Sequence, residues 1–136
     1  MEFNRQYLTY VEYKGLGGNA INLMSFNLLE FEVRKKIDLR TQNRLKNETK
    51  IPTEVKLCEF KMIEEVVRYS SKIKKINDNN IASENIDGYS VSYLNSSEIQ
   101  AIMKNKDEEL NEIMLEELFG VIVNNEHILY LGVKKW

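Results

Sequence analysis

The apolar spacing between Thr53 and Asn77 constrains this chain more than any other feature of its sequence. Apolar side chains recur there at three- and four-residue steps: Val55, Cys58, Met62, Val66, Tyr69, Ile73 and Ile76. This period predicts one amphipathic helix, about 36 Å long at 1.5 Å per residue. A compact globule of this chain length has a radius of gyration of only about 14 Å. We therefore expect an elongated molecule that this helix crosses from end to end.

The same predicted helix carries a second apolar stripe, formed by Phe60, Ile63 and Val67. Two stripes on one helix need more partner surface than a single neighbouring helix supplies. The pattern therefore favours a third helix in the chain, a neighbouring subunit, or both.

Two further helices are predicted from the same kind of pattern. The first runs from Asn22 to Arg40, and its apolar residues are Phe26, Leu29, Val33 and Ile37. The other begins at a capping serine, Ser96 or Ser97, and ends at Gly120. Its polar face is acidic and contains Asp107, Glu108, Glu109, Glu112 and Glu116.

Two segments have the alternating pattern of extended chain. Residues 81–94 predict a short extended or β arm after a turn, and residues 121–136 predict a β-prone tail with a turn at Asn124-Asn125. We therefore expect a mainly α fold, an elongated bundle of three main helices with one arm and one tail. Residues 1–120 would form the helical domain, and residues 121–136 a docking tail.

Composition excludes several classes of protein. The 136 residues include one cysteine and one histidine, too few for an internal disulfide or a Cys/His zinc cluster. The sequence has no apolar leader segment and no run of about 18 apolar residues, so we expect a soluble protein made in the cytosol. Cys58 on an apolar stripe and His127 beside a turn favour a core cysteine and a surface histidine over a catalytic pair. We predict no catalytic residue, metal or cofactor.

Charge is unevenly distributed along the chain. Residues 1–80 carry 15 Lys and Arg against 11 Asp and Glu, whereas residues 81–136 carry 4 against 10. Opposite net charges suit a protein that pairs with copies of itself or with a charged partner. Tyr89 and Tyr93 lie on one side of the predicted arm, in the acidic part, where packing against protein is favoured over stacking on bases.

The segment Gly15-Leu16-Gly17-Gly18-Asn19-Ala20 matches the G-x-G-x-x-A dinucleotide fingerprint. That fingerprint needs a preceding strand and a βαβ unit, and the long consecutive helices predicted downstream leave no parallel sheet. We favour a glycine turn between a short first helix and the next one.

Five motifs follow one another along nearly the whole chain. They are Thr9-Tyr10-Val11-Glu12-Tyr13 before the glycines, Ile37 to Arg44, Pro52 to Glu59, Ile81 to Tyr93, and Leu129 to Val133. In this order they resemble motifs of the head-tail connector proteins of tailed bacteriophages, also called adaptor or head-completion proteins. The segment Ile-Ala-Ser-Glu-Asn-Ile-Asp-Gly-Tyr-Ser-Val-Ser-Tyr carries most of the resemblance. Leu131 stands where the family usually has an arginine.

The resemblance implies a structural role without catalysis. A homo-oligomeric ring, usually dodecameric, would attach beneath the portal vertex after DNA packaging and extend the DNA channel. It would meet the portal protein on one side and a stopper or tail-completion protein on the other, with double-stranded DNA passing through non-specifically. The expected location is the virion, and the host cytoplasm before assembly, with no membrane partner.

Within such a ring we expect two sets of functional residues. Contacts between copies would use the predicted helix that begins at Thr53, the predicted helix that ends at Gly120, and the arm. The residues assigned to these contacts are Phe60, Ile63, Val67, Tyr89 and Tyr93. The lumen would be lined by acidic residues that repel phosphates and keep DNA sliding, namely Asp107, Glu109, Glu112 and Glu116. The alternative for this acidic face, equally favoured, is an outer solvated surface.

The tail is the predicted portal contact, because its alternating residues suit strand addition to an exposed edge. The residues assigned to this contact are Ile128, Leu129, Tyr130, Leu131, Lys134, Lys135 and Trp136. A β-hairpin folded back on its own helices is the alternative.

Two other functions stay open from the sequence. A helical interaction or regulatory protein unrelated to phages fits the composition equally well, and a nucleotide-binding enzyme fits the glycine segment alone.

Overall fold

The computed structural model describes residues 5–18, 21–75 and 98–129, and it is mainly helical, which confirms the predicted fold class. Helix α1 spans Tyr10–Gly15, α2 spans Leu23–Arg40, and the helical region α3 spans Thr53–Leu118. Strands β1 (Ile122–Val123) and β2 (Glu126–His127) pair antiparallel, with Ile122 opposite His127. Within the described ranges, no helix has both the length and the apolarity needed to cross a bilayer.

Local capping fixes where α1 and α2 begin. Thr9 and Glu12 form a capping box, in which each side chain accepts a hydrogen bond from the other residue's backbone N–H. The Asn22 side chain accepts from the Ser25 N–H at 2.9 Å, so α2 starts where the sequence predicts. Helix α3 also starts at Thr53 as predicted, but Pro52 is its N-cap and the Thr53 hydroxyl does not cap it.

The helical region α3 doubles back on itself. The Tyr69 hydroxyl donates to Glu109 Oε1 at 2.8 Å across a sequence separation of 40 residues. A straight helix would hold such residues about 60 Å apart, so the chain reverses direction between them. The predicted arm at 81–94 and the predicted helix start at Ser96 or Ser97 lie outside the described residues.

The chain divides into two compact units. Unit 1 contains Met1–Glu64 and Glu112–Trp136, and unit 2 contains Glu65–Asn111. In unit 2, Tyr69 and Leu110 are buried, and Glu109 also accepts from Arg68 Nη2 at 3.1 Å. These contacts join the two described segments of α3 within that unit.

The core of unit 1 is built around an aromatic cluster. The Tyr13 ring lies 5.1 Å from the Phe26 ring and 5.6 Å from the Phe60 ring, measured between centroids, and so connects α1, α2 and α3. Its other fully or nearly fully buried apolar residues include Val33, Ile37, Leu45, Val55, Cys58, Met62, Ile63, Met114, Leu118 and Ile128. The predicted core positions of α2 at Phe26, Val33 and Ile37 are confirmed.

The glycine segment is a turn at the end of α1. Gly17 has a φ of +101°, a left-handed conformation that favours glycine. Gly18 is buried, and a Cβ added there would overlap the Tyr13 ring. Because these glycines follow a helix, the described part of the segment lacks the strand that a dinucleotide fingerprint requires, and the turn interpretation is confirmed.

We expect Gly18→Ala to destabilise the protein by about 1 to 3 kcal/mol, since the new methyl group forces the Tyr13 ring out of the aromatic cluster. Gly15→Ala is the matched control, because a Cβ at Gly15 meets nothing within 4 Å. Urea unfolding followed by far-UV circular dichroism measures both variants. Equal stability of the two would contradict the close packing of Gly18 against Tyr13.

The C-terminal segment folds back onto unit 1, which corrects its assignment as a separate docking tail. Asn124 and Asn125 have φ of 53° and 67°, and they form the two-residue hairpin turn that the sequence predicts. Val121, Val123 and Ile128 are buried, so apolar alternation here places side chains in the core of the chain. The predicted alternative, a β-hairpin folded back on the chain's own helices, is therefore the one that applies to residues 121–129. Residues 130–136 lie outside the described part of the chain.

Candidate interaction surfaces

Helix α2 has apolar residues on two opposite faces. Each helical residue advances by about 100°, so Phe26, Val33 and Ile37 share the buried face. Met24, Leu28 and Leu39 lie roughly opposite and are 75%, 50% and 82% exposed. We call these three residues the outer α2 stripe. Lys35 lies on the same side, between Leu28 and Leu39.

A second exposed apolar surface lies where α3 ends and the hairpin begins. It comprises Leu115, Phe119 and Ile122, which are 44%, 83% and 57% exposed, and we call it the C-terminal patch. Leu115 and Phe119 are separated by four residues, so they lie one above the other at the end of the helix. Exposed apolar groups that cluster in this way mark interaction sites more often than single ones do.

The two surfaces have opposite charges beside them. Lys35 and Lys36 are exposed next to the outer α2 stripe, and with Glu32 and Leu39 they line a shallow cavity of about 330 Å³. Glu112 and Glu116 are exposed beside the C-terminal patch on the same stretch of α3. The outer α2 stripe is therefore flanked mainly by positive charge and the C-terminal patch by negative charge.

The predicted ring-interface stripe on α3 does not form a free surface. Ile63 is fully buried, so its side chain is part of the core of unit 1. Phe60 is half-buried and its ring packs against Tyr13, and Val67 is half-buried in unit 2. The assignment of Ile63 to a contact between copies is therefore wrong. Tyr89 and Tyr93 lie outside the described residues.

Three of the four predicted channel residues are accessible. Asp107, Glu112 and Glu116 are exposed, whereas Glu109 is half-buried and bonded to Tyr69 and Arg68. Glu109 thus joins segments within unit 2. Asp107 and Glu109 belong to unit 2, and Glu112 and Glu116 to unit 1.

Of the predicted portal-binding residues, the structure describes two. Ile128 is fully buried, donates its N–H to the Val121 carbonyl at 3.0 Å, and accepts from Arg44 Nη1 at 3.0 Å. Its assignment to portal binding is therefore wrong, because every part of it is used within the fold. Leu129 is half-buried. The others, Tyr130, Leu131, Lys134, Lys135 and Trp136, lie outside the described residues.

A buried acidic cluster, which the sequence analysis missed, lies between α2 and α3. Glu30 and Glu59 are both fully buried. Glu30 accepts from the Tyr7 N–H at 3.0 Å and pairs with Arg34 at 3.2 Å. Arg34 donates to the Arg5 carbonyl at 3.1 Å, and the Tyr7 hydroxyl donates to Asp38. These bonds hold the segment before α1 against α2.

The raised pKa values of the two buried glutamates favour a protonated carboxyl in this pair. Burial raises the pKa of Glu59 well above its usual range, and the adjacent Glu30 carboxylate raises it further. Burial also raises the pKa of Glu30, although its hydrogen bond with Glu59 and the Arg34 charge oppose that rise. Neither carboxyl oxygen of Glu59 accepts a hydrogen bond from a donor among the described residues. We assign the proton to Glu59, which donates it to an ionised Glu30.

A cavity lies close to this buried acidic cluster, but the two glutamates are not part of its lining. A cavity of about 390 Å³ lies beside Tyr7, and its lining includes Arg5, Lys46 and Glu48. Neither buried glutamate lines this cavity, so the pair does not meet a ligand there. In the described ranges, no group of three or more His, Cys, Asp or Glu side chains could hold a metal ion.

Cys58 and His127 occupy the positions that the sequence predicts. Cys58 is buried, and burial raises the pKa of its thiol, which disfavours the nucleophilic thiolate. His127 is exposed on β2. The predicted core cysteine and surface histidine are therefore confirmed.

Comparison of the chain with protein-family models, with curated proteins and with solved structures finds no match.

Proposed function

We propose that this chain is a structural protein that assembles into a ring and acts as a head-tail connector of a tailed bacteriophage. The observation that carries the proposal is that unit 1 exposes two apolar surfaces, the outer α2 stripe and the C-terminal patch, flanked by opposite charges. Association of copies would cover both surfaces. The ordered connector-like motifs support the phage role within this class.

The proposal assigns separate tasks to separate parts of the chain. Contacts between copies use the outer α2 stripe and the C-terminal patch, and the buried Ile63 has no part in them. Asp107 is the proposed lumen residue, because an exposed carboxylate repels the phosphates of passing DNA. Portal binding is proposed for residues 130–136, where Lys134 and Lys135 would steer the ring towards an acidic portal rim.

Electron microscopy of the purified protein, alone and with its portal, tests this function. We expect closed rings, and portals that carry a ring at one end. A truncation that removes residues 130–136 should abolish portal binding and leave the melting temperature unchanged, since Ile128 is the last buried residue in the part of the hairpin that the structure describes. A large fall in melting temperature would instead assign those residues to the fold.

The regulatory alternative gives a different result in the same experiment. A helical regulatory protein would stay monomeric at every concentration and would leave portals bare. Full-length protein with that behaviour would contradict the connector proposal.

A further inference from the structure

We propose that the outer α2 stripe of one copy packs on the C-terminal patch of a second copy, with Lys35 and Lys36 beside Glu112. This inference rests on the proposed ring and names the surfaces that build it. The two surfaces share no residue, so each copy can use both at once, one towards each neighbour. Such a head-to-tail contact closes into a ring when the rotation between copies permits.

The shapes of the two surfaces suit helix packing. Met24 and Leu28 are four residues apart on α2, and Leu115 and Phe119 are four residues apart on α3. Side chains at this spacing form ridges, and ridges of this kind on two helices interdigitate in the most common packing class of globular proteins. Each surface therefore presents one short ridge of large apolar side chains.

Charge favours a second copy as the occupant. Lys35 lies almost two helical turns beyond Leu28, and Glu112 lies less than one turn before Leu115. When the two helices run antiparallel with Leu28 opposite Leu115, the lysine and the glutamate fall on the same side of the apolar contact, within reach of long side chains. Two outer α2 stripes, or two C-terminal patches, would instead bring like charges together, which is unfavourable.

Disulfide cross-linking tests the contact directly. The variant Leu28→Cys with Leu115→Cys should form disulfides between copies under mild oxidation, and non-reducing gels should show a ladder of dimers, trimers and higher species. The native Cys58 is buried and adds little background. Val11→Cys with Leu115→Cys is the matched control, since Val11 is 81% exposed but lies outside both surfaces.

Charge reversal gives an independent readout. Lys35→Glu with Lys36→Glu should weaken self-association at least about tenfold, because like charges then face each other across the contact. Glu112→Lys should do the same, and combining all three changes in one chain should restore assembly. Lys74→Glu with Lys75→Glu, at exposed positions in unit 2, is the control for net charge.

The outcomes separate this inference from the proposed function. Rings that form normally in both charge-reversal variants, without the cross-linked ladder, would overturn the contact and leave the connector role standing. Cross-links that stop at dimers would overturn the head-to-tail arrangement. A chain that stays monomeric with and without portal would overturn both proposals, and the two surfaces would then belong to a different partner protein.

Discussion

Replacing Glu59 with glutamine is expected to stabilise the protein above about pH 5, because the wild type must then bind a proton in order to fold. Glu59 is fully buried against Glu30, and its pKa is raised well above the usual range by burial and by that neighbour. An amide keeps the size of the protonated carboxyl and can donate to Glu30 in the same way. It removes the need to bind a proton in the folded state.

The sign of the pH dependence follows from the raised pKa. Below the ordinary glutamate pKa of about 4.3, Glu59 is protonated in both the folded and unfolded states. Above it, only the folded state keeps the proton, so the free energy of unfolding falls by about 1.4 kcal/mol per pH unit from this group alone. The fall ends where the pH passes the raised pKa of the folded state.

The measurement is the difference in unfolding free energy between the variant and the wild type, taken by urea titration from acid to neutral pH. We expect Glu59→Gln to gain on the wild type steadily as pH rises. Glu32→Gln, at an exposed position on α2, is the matched control for replacing a glutamate on the surface. A difference for Glu59→Gln that does not change with pH would show that Glu59 does not hold the proton.

The partner carboxylate should respond in the opposite direction. Glu30→Gln removes the negative charge that pairs with Arg34 and accepts from the Tyr7 N–H. Because Arg34 is largely buried, losing its partner should cost up to about 3 kcal/mol, the lower end for breaking a buried ion pair, and the desolvation that raises the pKa of Glu30 offsets part of that cost. Asp38 and the Tyr7 hydroxyl face the same cluster, and both variants leave them in place.

Replacing Ile128 with alanine is expected to destabilise the fold by about 2 to 5 kcal/mol, the usual range for truncating a fully buried aliphatic side chain. Ile128 has no exposed surface, although it lies in a segment whose sequence suggests a docking tail. Its backbone is bonded to Val121 and to Arg44, and Arg44 also pairs with Glu126 at 3.0 Å. The hairpin is therefore anchored to the loop after α2.

Ile122 provides the matched control in the same hairpin. It is 57% exposed, so Ile122→Ala should change the stability of the chain by no more than about 0.5 kcal/mol. Because Ile122 belongs to the C-terminal patch, the same variant should weaken self-association. If Ile128→Ala and Ile122→Ala unfold at the same urea concentration, the hairpin is not part of the core.

Local signals in the sequence predict the boundaries of the elements well. Asn22 caps α2, Thr53 begins α3, and Asn124-Asn125 turns the hairpin, because each depends on a few neighbouring residues. The burial of Phe26, Val33 and Ile37 also follows from the apolar period of α2. These features need no knowledge of which elements meet in space.

Features that depend on packing were harder to predict. Phe60, Ile63 and Val67 look like a surplus stripe, but Ile63 lies in the core of unit 1, which also includes the C-terminal hairpin. Glu30 lies four residues after Phe26, at a position that the apolar period of α2 places on the buried face of the helix. This spacing is the signal in the sequence for a buried charge. The outer α2 stripe was also visible as a second repeat at Met24, Leu28 and Leu39.

Sedimentation velocity of the full-length protein over a range of concentrations, alone and with portal, tests the central claim most directly. A ring-forming connector should give one discrete species whose mass is a whole multiple of the 16.0 kDa chain and stops growing as concentration rises. The Leu28, Leu115 and Phe119 surfaces would then be covered in the assembly. A single 16.0 kDa species under all conditions, with portals sedimenting unchanged, would contradict the account.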